Sequence, residues 1–359
     1  MSSDSDSDTD FFTPGPEALL PIRRSLASFS LQRASNRLNN SYRATTTFDR
    51  TSTLIARRTY YDTIRSISLA GSQTLSNRYI SSLAYNNKTD TLAAASWDGS
   101  VYLLNPHSLE IKSTYTPSKV QQISDVLYFG DDILITAGHD GFIQINKNNT
   151  IVQTPTIDRI HSLELHPNES LIFAASADYT WHFIDLQTSQ ILYSQEGHIG
   201  PVTSLATHPD GSLLASGSKD TSIMLWDLRS GINISSFVDS SNGHTGTVHS
   251  LAWRHNGYHL ASAGADGQLL IWDLRAKSNT PLASIPAHST LISSIKFTEN
   301  DMCLLSAGYD GVINATATDS WAHITKFKSL DKIMDLVPIN DNTFLTSGWD
   351  RSVKLYTVD

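Results

Sequence analysis

An aspartate that follows a short apolar run and a few small residues returns seven times along the chain. The instances are AAASWDGS (Asp98), ITAGHDGF (Asp140), AASADYTW (Asp178), ASGSKDTS (Asp220), ASAGADGQ (Asp266), LSAGYDGV (Asp310) and TSGWDRSV (Asp350). Successive gaps are 42, 38, 42, 46, 44 and 40 residues, with a mean of 42. Between the marks, apolar and polar residues alternate as in strands: Val202 to Ala206, then Leu213 to Ser216, then Ile223 to Trp226, separated by turn residues such as Pro209-Asp210-Gly211. Units of about this length that hold four short strands are propeller blades, and no helical repeat has this pattern. Seven units predict an all-β, seven-bladed ring.

Two further marks keep the same phase. Trp226-Asp227 and Trp272-Asp273 each start six residues after a turn aspartate, and His198, His244 and His288 each lie 22 residues before Asp220, Asp266 and Asp310. These are the marks of WD40 repeats. Polar groups buried at blade turns must find partners inside the protein. A chain His198, Ser216, Asp220, Trp226 is expected, with a second of His244, Ser262, Asp266, Trp272, and His288 with Asp310 in the next blade. Ser216, His198 and Asp220 imitate a catalytic triad, but repetition blade after blade marks architecture, because a reaction needs such a set once. Neither a phosphate-binding loop nor an HExxH motif is present. His161, His166, His208 and His255 are scattered and lack ligand spacing. The expectation is no enzyme, no metal and no cofactor.

The last repeat ends at Ser352 to Tyr356, its third strand. An open sheet edge invites aggregation. The alternating run at residues 64–69 is therefore expected to supply the missing strand and to close the ring. The expected division is a disordered acidic tail at 1–14, a basic helical arm at 15–62 and the propeller at 63–359.

Charge follows that division. The net charge of −9 conceals a segment from Ile22 to Arg65 with nine arginines, no lysine and two acids, followed by a body at 71–359 with 17 basic and 28 acidic residues. The acidic body argues against general nucleic-acid binding by the ring. In the arm, Leu19, Ile22, Leu26, Phe29, Leu31, Ala34 and Leu38 recur at helical spacing, with Pro21 interrupting the start and Ser30 placed to cap a second helix. Two readings stand: a helix packed on its own ring, or one docked on another subunit. In the second, Arg23, Arg24, Phe29, Arg33, Arg37, Arg57 and Arg58 meet protein or RNA phosphates. The opening MSSDSDSDTD excludes a secretory signal, and its serines beside aspartates read as a solvated tail with possible phosphorylation. The single cysteine, Cys303, excludes an internal disulfide, and no apolar run approaches the roughly 20 residues that span a bilayer.

The residue before each turn aspartate lies near one rim of the ring. Blades six, seven, one and two are adjacent in a closed ring, so Tyr309, Trp349, Trp97 and His139 are expected to form one arc. Exposed Trp and Tyr are typical anchors for a partner, and stacking of unpaired RNA bases is a weaker alternative.

Particular strings narrow the class. ILYSQEGHIGPV (191–202), WDLRSG (226–231), NGYHLASAGADGQLLIWDLR (256–275), IPAHSTLISSIKF (285–297), LLSAGYDG (304–311) and GWDRSVKLY (348–356) resemble the WD-repeat subunit of the U4/U6 small nuclear ribonucleoprotein, the pre-mRNA-processing factor four family. GPEALLPIRRSLASFSLQRASNRL (15–38) is similar to the arginine-rich segment before that family's propeller, and residues 50–73 to its linker. The resemblance covers roughly residues 11–359. It implies a non-catalytic nuclear scaffold of the U4/U6 di-snRNP and U4/U6.U5 tri-snRNP in mRNA splicing. The neighbours it implies are the pre-mRNA-processing factor three type subunit and U4/U6 snRNA, touched directly or through the complex, and no membrane. A cyclophilin contact is not expected, because only 14 residues precede Gly15 and the family's upstream splicing-factor motif needs more. The alternative class is a general WD40 adaptor, such as a ubiquitin-ligase substrate receptor or a chromatin-complex subunit. The second blade departs from the pattern with Asn146 near the WD position, and the sixth has Ala315-Thr316-Ala317 there.

Overall fold

The alternating runs form seven four-stranded antiparallel sheets in the computed structural model, which describes residues 16, 19–46, 49–117, 121–130, 133–147, 150–153, 158–237, 243–276 and 280–358. Each sheet is a blade, and six of the seven have their strands in chain order; blade 4, for example, is Val202–Thr207, Leu213–Ser218, Ile223–Asp227 and Ile232–Phe237. The first strands of adjacent blades touch all round the axis, and blade 7 returns to blade 1. Second strands lie between neighbouring blades and are buried along their length, as Leu171–Ser176 and Cys303–Gly308 show. Apolar side chains on both faces of each blade then fill the spaces between blades, which stabilises the ring by roughly 1.5–3 kcal/mol per buried large side chain.

Closure comes from the N-terminal side. Ile67–Thr74 pairs antiparallel with Ser352–Val358, from Ile67 opposite Val358 to Thr74 opposite Ser352, and completes blade 7. This strand lies downstream of the expected 64–69. Ile64 to Ser66 form instead the last turn of helix α2 (Arg50–Ser66), where buried Ile64 packs one turn from Tyr60 against Ile333, Phe344 and Tyr356. A spacing of four, read along a short segment, was hidden by the alternation that follows it. Helix α1 (Leu19–Thr46) also corrects an expectation, since it runs unbroken through both Pro21 and Ser30. Pro21 sits in the first turn, where its missing N–H has no helical partner to lose. Ser30 caps nothing; its hydroxyl donates to the carbonyl of Ala27. Among the described residues no helix is long and apolar enough to cross a membrane. The tail at 1–14 lies outside the described residues.

One local irregularity recurs in every blade. The first strand shifts register between its first and third residues, at Ile80/Ser82, Ile123/Asp125, Ile160/Ser162, Val202/Ser204, Val248/Ser250, Ile292/Ser294 and Ile333/Asp335. A bulge on an innermost strand leaves backbone groups unpaired, and the third residue of the preceding blade can meet them. Asp125 accepts from Leu163 N at 2.7 Å, Asp335 from Leu83 N at 2.8 Å and Ser250 from Ile295 N at 3.1 Å. These bonds stitch blade to blade around an axial cavity of about 180 Å³.

Asp125 has a measurable consequence. Burial pushes its carboxyl up to about 6, against the hydrogen bonds from Leu163 N and Ser82 and with Asp335 adding to the rise. A folded-state value above the unfolded one means that the stability linked to this group is full below about pH 4 and is lost as pH rises through about 6. Relative to Asp125→Asn, the native chain should therefore weaken by up to about 3 kcal/mol between pH 4 and pH 7. Paired denaturant titrations at both pH values check this, and a pH-independent gap between the two proteins would refute it.

Candidate interaction surfaces

The expected blade networks form, with a second solution in three of the four blades that lack the histidine. His198 Nε2 lies 2.7 Å from Ser216 Oγ and its Nδ1 3.1 Å from Asp220, while the indole of Trp226 donates to Ser216 at 2.8 Å. His244, Ser262, Asp266 and Trp272 repeat this geometry at 2.8, 2.9 and 2.9 Å. In blade 6, His288 meets Ser306 at 2.9 Å and Asp310 at 3.0 Å. Thr316 holds the place of the indole there, and Asn314 bonds His288 instead. Burial works against the charge on Asp220, yet His198, Ser222 and Ile199 N together hold its carboxyl well below the usual range. Blades 1, 3 and 7 take the partner from four residues after the turn aspartate: Tyr102 to Asp98, His182 to Asp178 and Lys354 to Asp350. That position is apolar in blades 4 and 5, as Met224 and Leu270, where a histidine already serves. The complementarity is legible in the sequence once the blades are aligned. These sets fix turns, and among the described residues no group of three or more His, Cys, Asp or Glu is placed to hold a metal.

The rim residues come together as one arc, larger than the spacing indicated. Each residue before a turn aspartate donates its N–H to the carbonyl of the residue just before its blade's first strand: Trp97 to Tyr79, His139 to Gln122, Trp349 to Lys332 and Tyr309 to Leu291. These partners put Tyr79 and Lys332 into the arc. Tyr79 stacks on Trp349 at 4.4 Å and 9°, and lies 4.9 Å from Trp97. Trp97 meets His139 edge-on at 5.5 Å, and His139 meets His161 at 6.0 Å. Lys332 Nζ lies over Tyr309 at 5.5 Å and over Trp349 at 5.3 Å. Trp349 remains 45% exposed. Burial lowers the pKa of both His139 and His161, which disfavours charge at the histidine end of the arc. His161, which sequence reasoning treated as ordinary, enters because it is the second residue of blade 3's first strand, beside the bulge.

The two helices lie on the opposite face, at the turns between first and second strands and, for Asp319, between third and fourth. The stripe Leu19, Ile22, Leu26 of α1 fills the seam between blades 3 and 4 against Phe173, Trp181 and Leu228. One turn further, the ring of Phe29 sits 5.7 Å from His166. Arg33 donates to the Pro209 carbonyl at 3.1 Å. Arg37 grips both oxygens of Asp210, with its closest bond at 2.8 Å, and reaches the Asn256 carbonyl at 2.8 Å. Gly257, at φ +72°, makes room: a Cβ there would fall 2.9 Å from the Arg37 guanidinium carbon. On α2, Arg57 pairs with Asp319 at 2.9 Å and Tyr61 donates to the same carboxylate at 3.0 Å.

These placements sort the arm residues. Arg23 is only 5% exposed, and burial lowers its pKa while Tyr193 and Asp227 counteract. Phe29, Arg33, Arg37 and Arg57 are directed at the ring, so the geometry favours packing on the chain's own propeller for them. Arg24 and Arg58 stay exposed. So does a stripe on the far side of α1, Leu31, Leu38 and Tyr42, at 62, 50 and 72%.

With both faces described, likeness to known proteins is informative. The pattern of the family described as WD domain, G-beta repeat, matches residues 68–105, 189–227, 235–273 and 279–314. Its first match begins inside the closing strand, because the sequence repeat is staggered by one strand from the blade. The first three strands of blades 2, 3 and 7 lie outside the matches. Partial likeness extends to Striatin-3 of Mus musculus, 31% identical over 47% of this chain and 23% of that protein. It extends also to Pre-mRNA-processing factor 19 homolog 2 of Arabidopsis thaliana, 31% identical over 44% and 32%. Both are confined to less than half the chain. The U4/U6 small nuclear ribonucleoprotein PRP4 of Saccharomyces cerevisiae is 34% identical over 367 aligned positions, which take in 98% of this chain and 78% of that protein. An alignment that continues through the arm, the closing strand and all seven blades goes beyond a shared ring, and the chain belongs to the PRP4 family of WD40 proteins.

Proposed function

We propose that this chain is a non-catalytic scaffold of the U4/U6 small nuclear ribonucleoprotein and of the U4/U6.U5 tri-snRNP, acting in pre-mRNA splicing in the nucleus. The observation that carries the reading is the similarity to PRP4 over 98% of the chain, arm included. A general adaptor would share the ring and have no reason to share the arm.

The two faces divide the work. The helices cover one face and turn five arm residues inward, which leaves Arg24, Arg58 and the far side of α1 for neighbouring protein or RNA backbone. The opposite face presents the aromatic arc to a protein neighbour, for which a subunit of the pre-mRNA-processing factor three type is a candidate. Affinity purification at low salt, with sequencing of bound RNA, tests the assignment. U4 and U6 RNA are expected in the eluate, and any direct arm–RNA contact should weaken as salt rises. Recovery of ubiquitin-ligase or chromatin subunits without either RNA would transfer the chain to the adaptor class.

A further inference from the structure

At the centre of the arc on the rim, the unpartnered polar groups are weighted towards donors. Among the described residues, the indole N–H groups of Trp97 and Trp349 have no partner, and neither do the hydroxyls of Tyr79 and Tyr309. An indole N–H and an ammonium only donate. The carboxylates beside them are already engaged: Asp98 with Ser100 N and Tyr102, Asp310 with His288, and Asp350 with Ser352 and Lys354. The rim thus offers donor-only groups from Trp97, Trp349 and Lys332 beside carboxylates that already accept hydrogen bonds.

Ring orientation narrows the ligand further. Tyr79 lies between Trp349 and Trp97, and Lys332 sits over the Trp349 ring. The ring faces at the centre of the arc are turned on one another, so edges and polar tips face outward. RNA bases stack on open ring faces, and this stack has spent its own. An amphipathic helix hides its carbonyls in its own hydrogen bonds and would leave the donors unmatched. A polyproline II segment has the complementary chemistry, with bare carbonyls, no N–H at proline and apolar rings to lay against aromatic edges. The centroid steps of 4.4 and 4.9 Å along Trp349, Tyr79 and Trp97 together match one three-residue polyproline II turn of about 9 Å.

We infer that the arc centred on Trp349, Tyr79 and Trp97 binds an extended, proline-rich segment of a partner protein, with the two indoles and Lys332 donating to its carbonyls. This rests on the rim being a partner-binding surface and adds the chemistry of the occupant.

The experiment uses the full chain labelled with ¹⁵N at its seven tryptophan indoles. Trp97→Phe and Trp349→Phe assign two of the signals. Decaproline, an amphipathic helical peptide and a single-stranded RNA oligomer are titrated separately. Decaproline is expected to shift the Trp97 and Trp349 signals, and Trp349→Phe, which keeps a ring in the stack and removes one donor, should weaken it roughly fivefold. Its melting temperature should match the native protein's. Unmoved signals with decaproline overturn the inference. If the helical peptide or the RNA moves them instead, the rim stands as a partner surface with a different occupant. If none of the three does, both readings fall. Native affinity in Trp349→Phe would also refute the donor argument.

Discussion

Removal of residues 1–74 is expected to destroy the single cooperative melting transition, whereas removal of 1–66 is expected to preserve it at a lower temperature. The two deletions differ only by the strand Ile67–Thr74, which pairs along Ser352–Val358 and brings buried Ile67 into the cluster of Phe327, Phe344 and Tyr356. Without it, blade 7 ends on an unpaired edge and the contact between the chain's two ends is lost. Losing the ladder and the burial of Ile67 should cost about 5 kcal/mol or more. In any transition that survives, that corresponds to a further fall on the order of 10 °C for a protein of this size. Differential scanning calorimetry of the two deletions decides the matter. Coincident transitions would mean that the ring is stable as an open arc.

The second large effect concerns the arm. Leu26→Ala should release α1 from the ring while leaving the blades folded. Leu26 is fully buried in the seam between blades 3 and 4, beside Phe173 and Trp181. Its truncation should cost about 2–5 kcal/mol. That loss falls on one helix, whose remaining anchors are Leu19, Ile22, Phe29 and the Arg37–Asp210 pair. Amide hydrogen exchange should therefore accelerate across residues 19–46, with protection of the ring strands unchanged. Leu31→Ala, on the exposed side of the same helix, is the control and should change neither. Equal acceleration in the two variants would show that the helix is held by something other than this seam.

Different parts of the molecule were legible to different degrees, for physical reasons. The turn aspartates, the histidines 22 residues upstream and the Trp-Asp pairs are local solutions to one local problem, repeated, so their spacing counts the blades directly. The rim arc was half legible. Trp97, His139, Tyr309 and Trp349 follow from the turn positions, but Tyr79 and Lys332 sit just before first strands and join through backbone bonds that the linear order does not display. The arginines were the least legible. A guanidinium flanked by apolar residues looks the same whether its carboxylate belongs to a partner or, as with Arg37 and Asp210, lies 173 residues away in the same chain.

The number of blades, the incomplete last repeat and the family resemblance were determined by the sequence alone, because periodicity and missing strands are properties of linear order. Which segment closes the ring, which arginines are spent on the chain's own carboxylates and which face stays open were decided only by the tertiary structure. Those outcomes depend on which distant groups satisfy one another's buried charges and unpaired backbone, and that competition is resolved only when the whole ring is assembled.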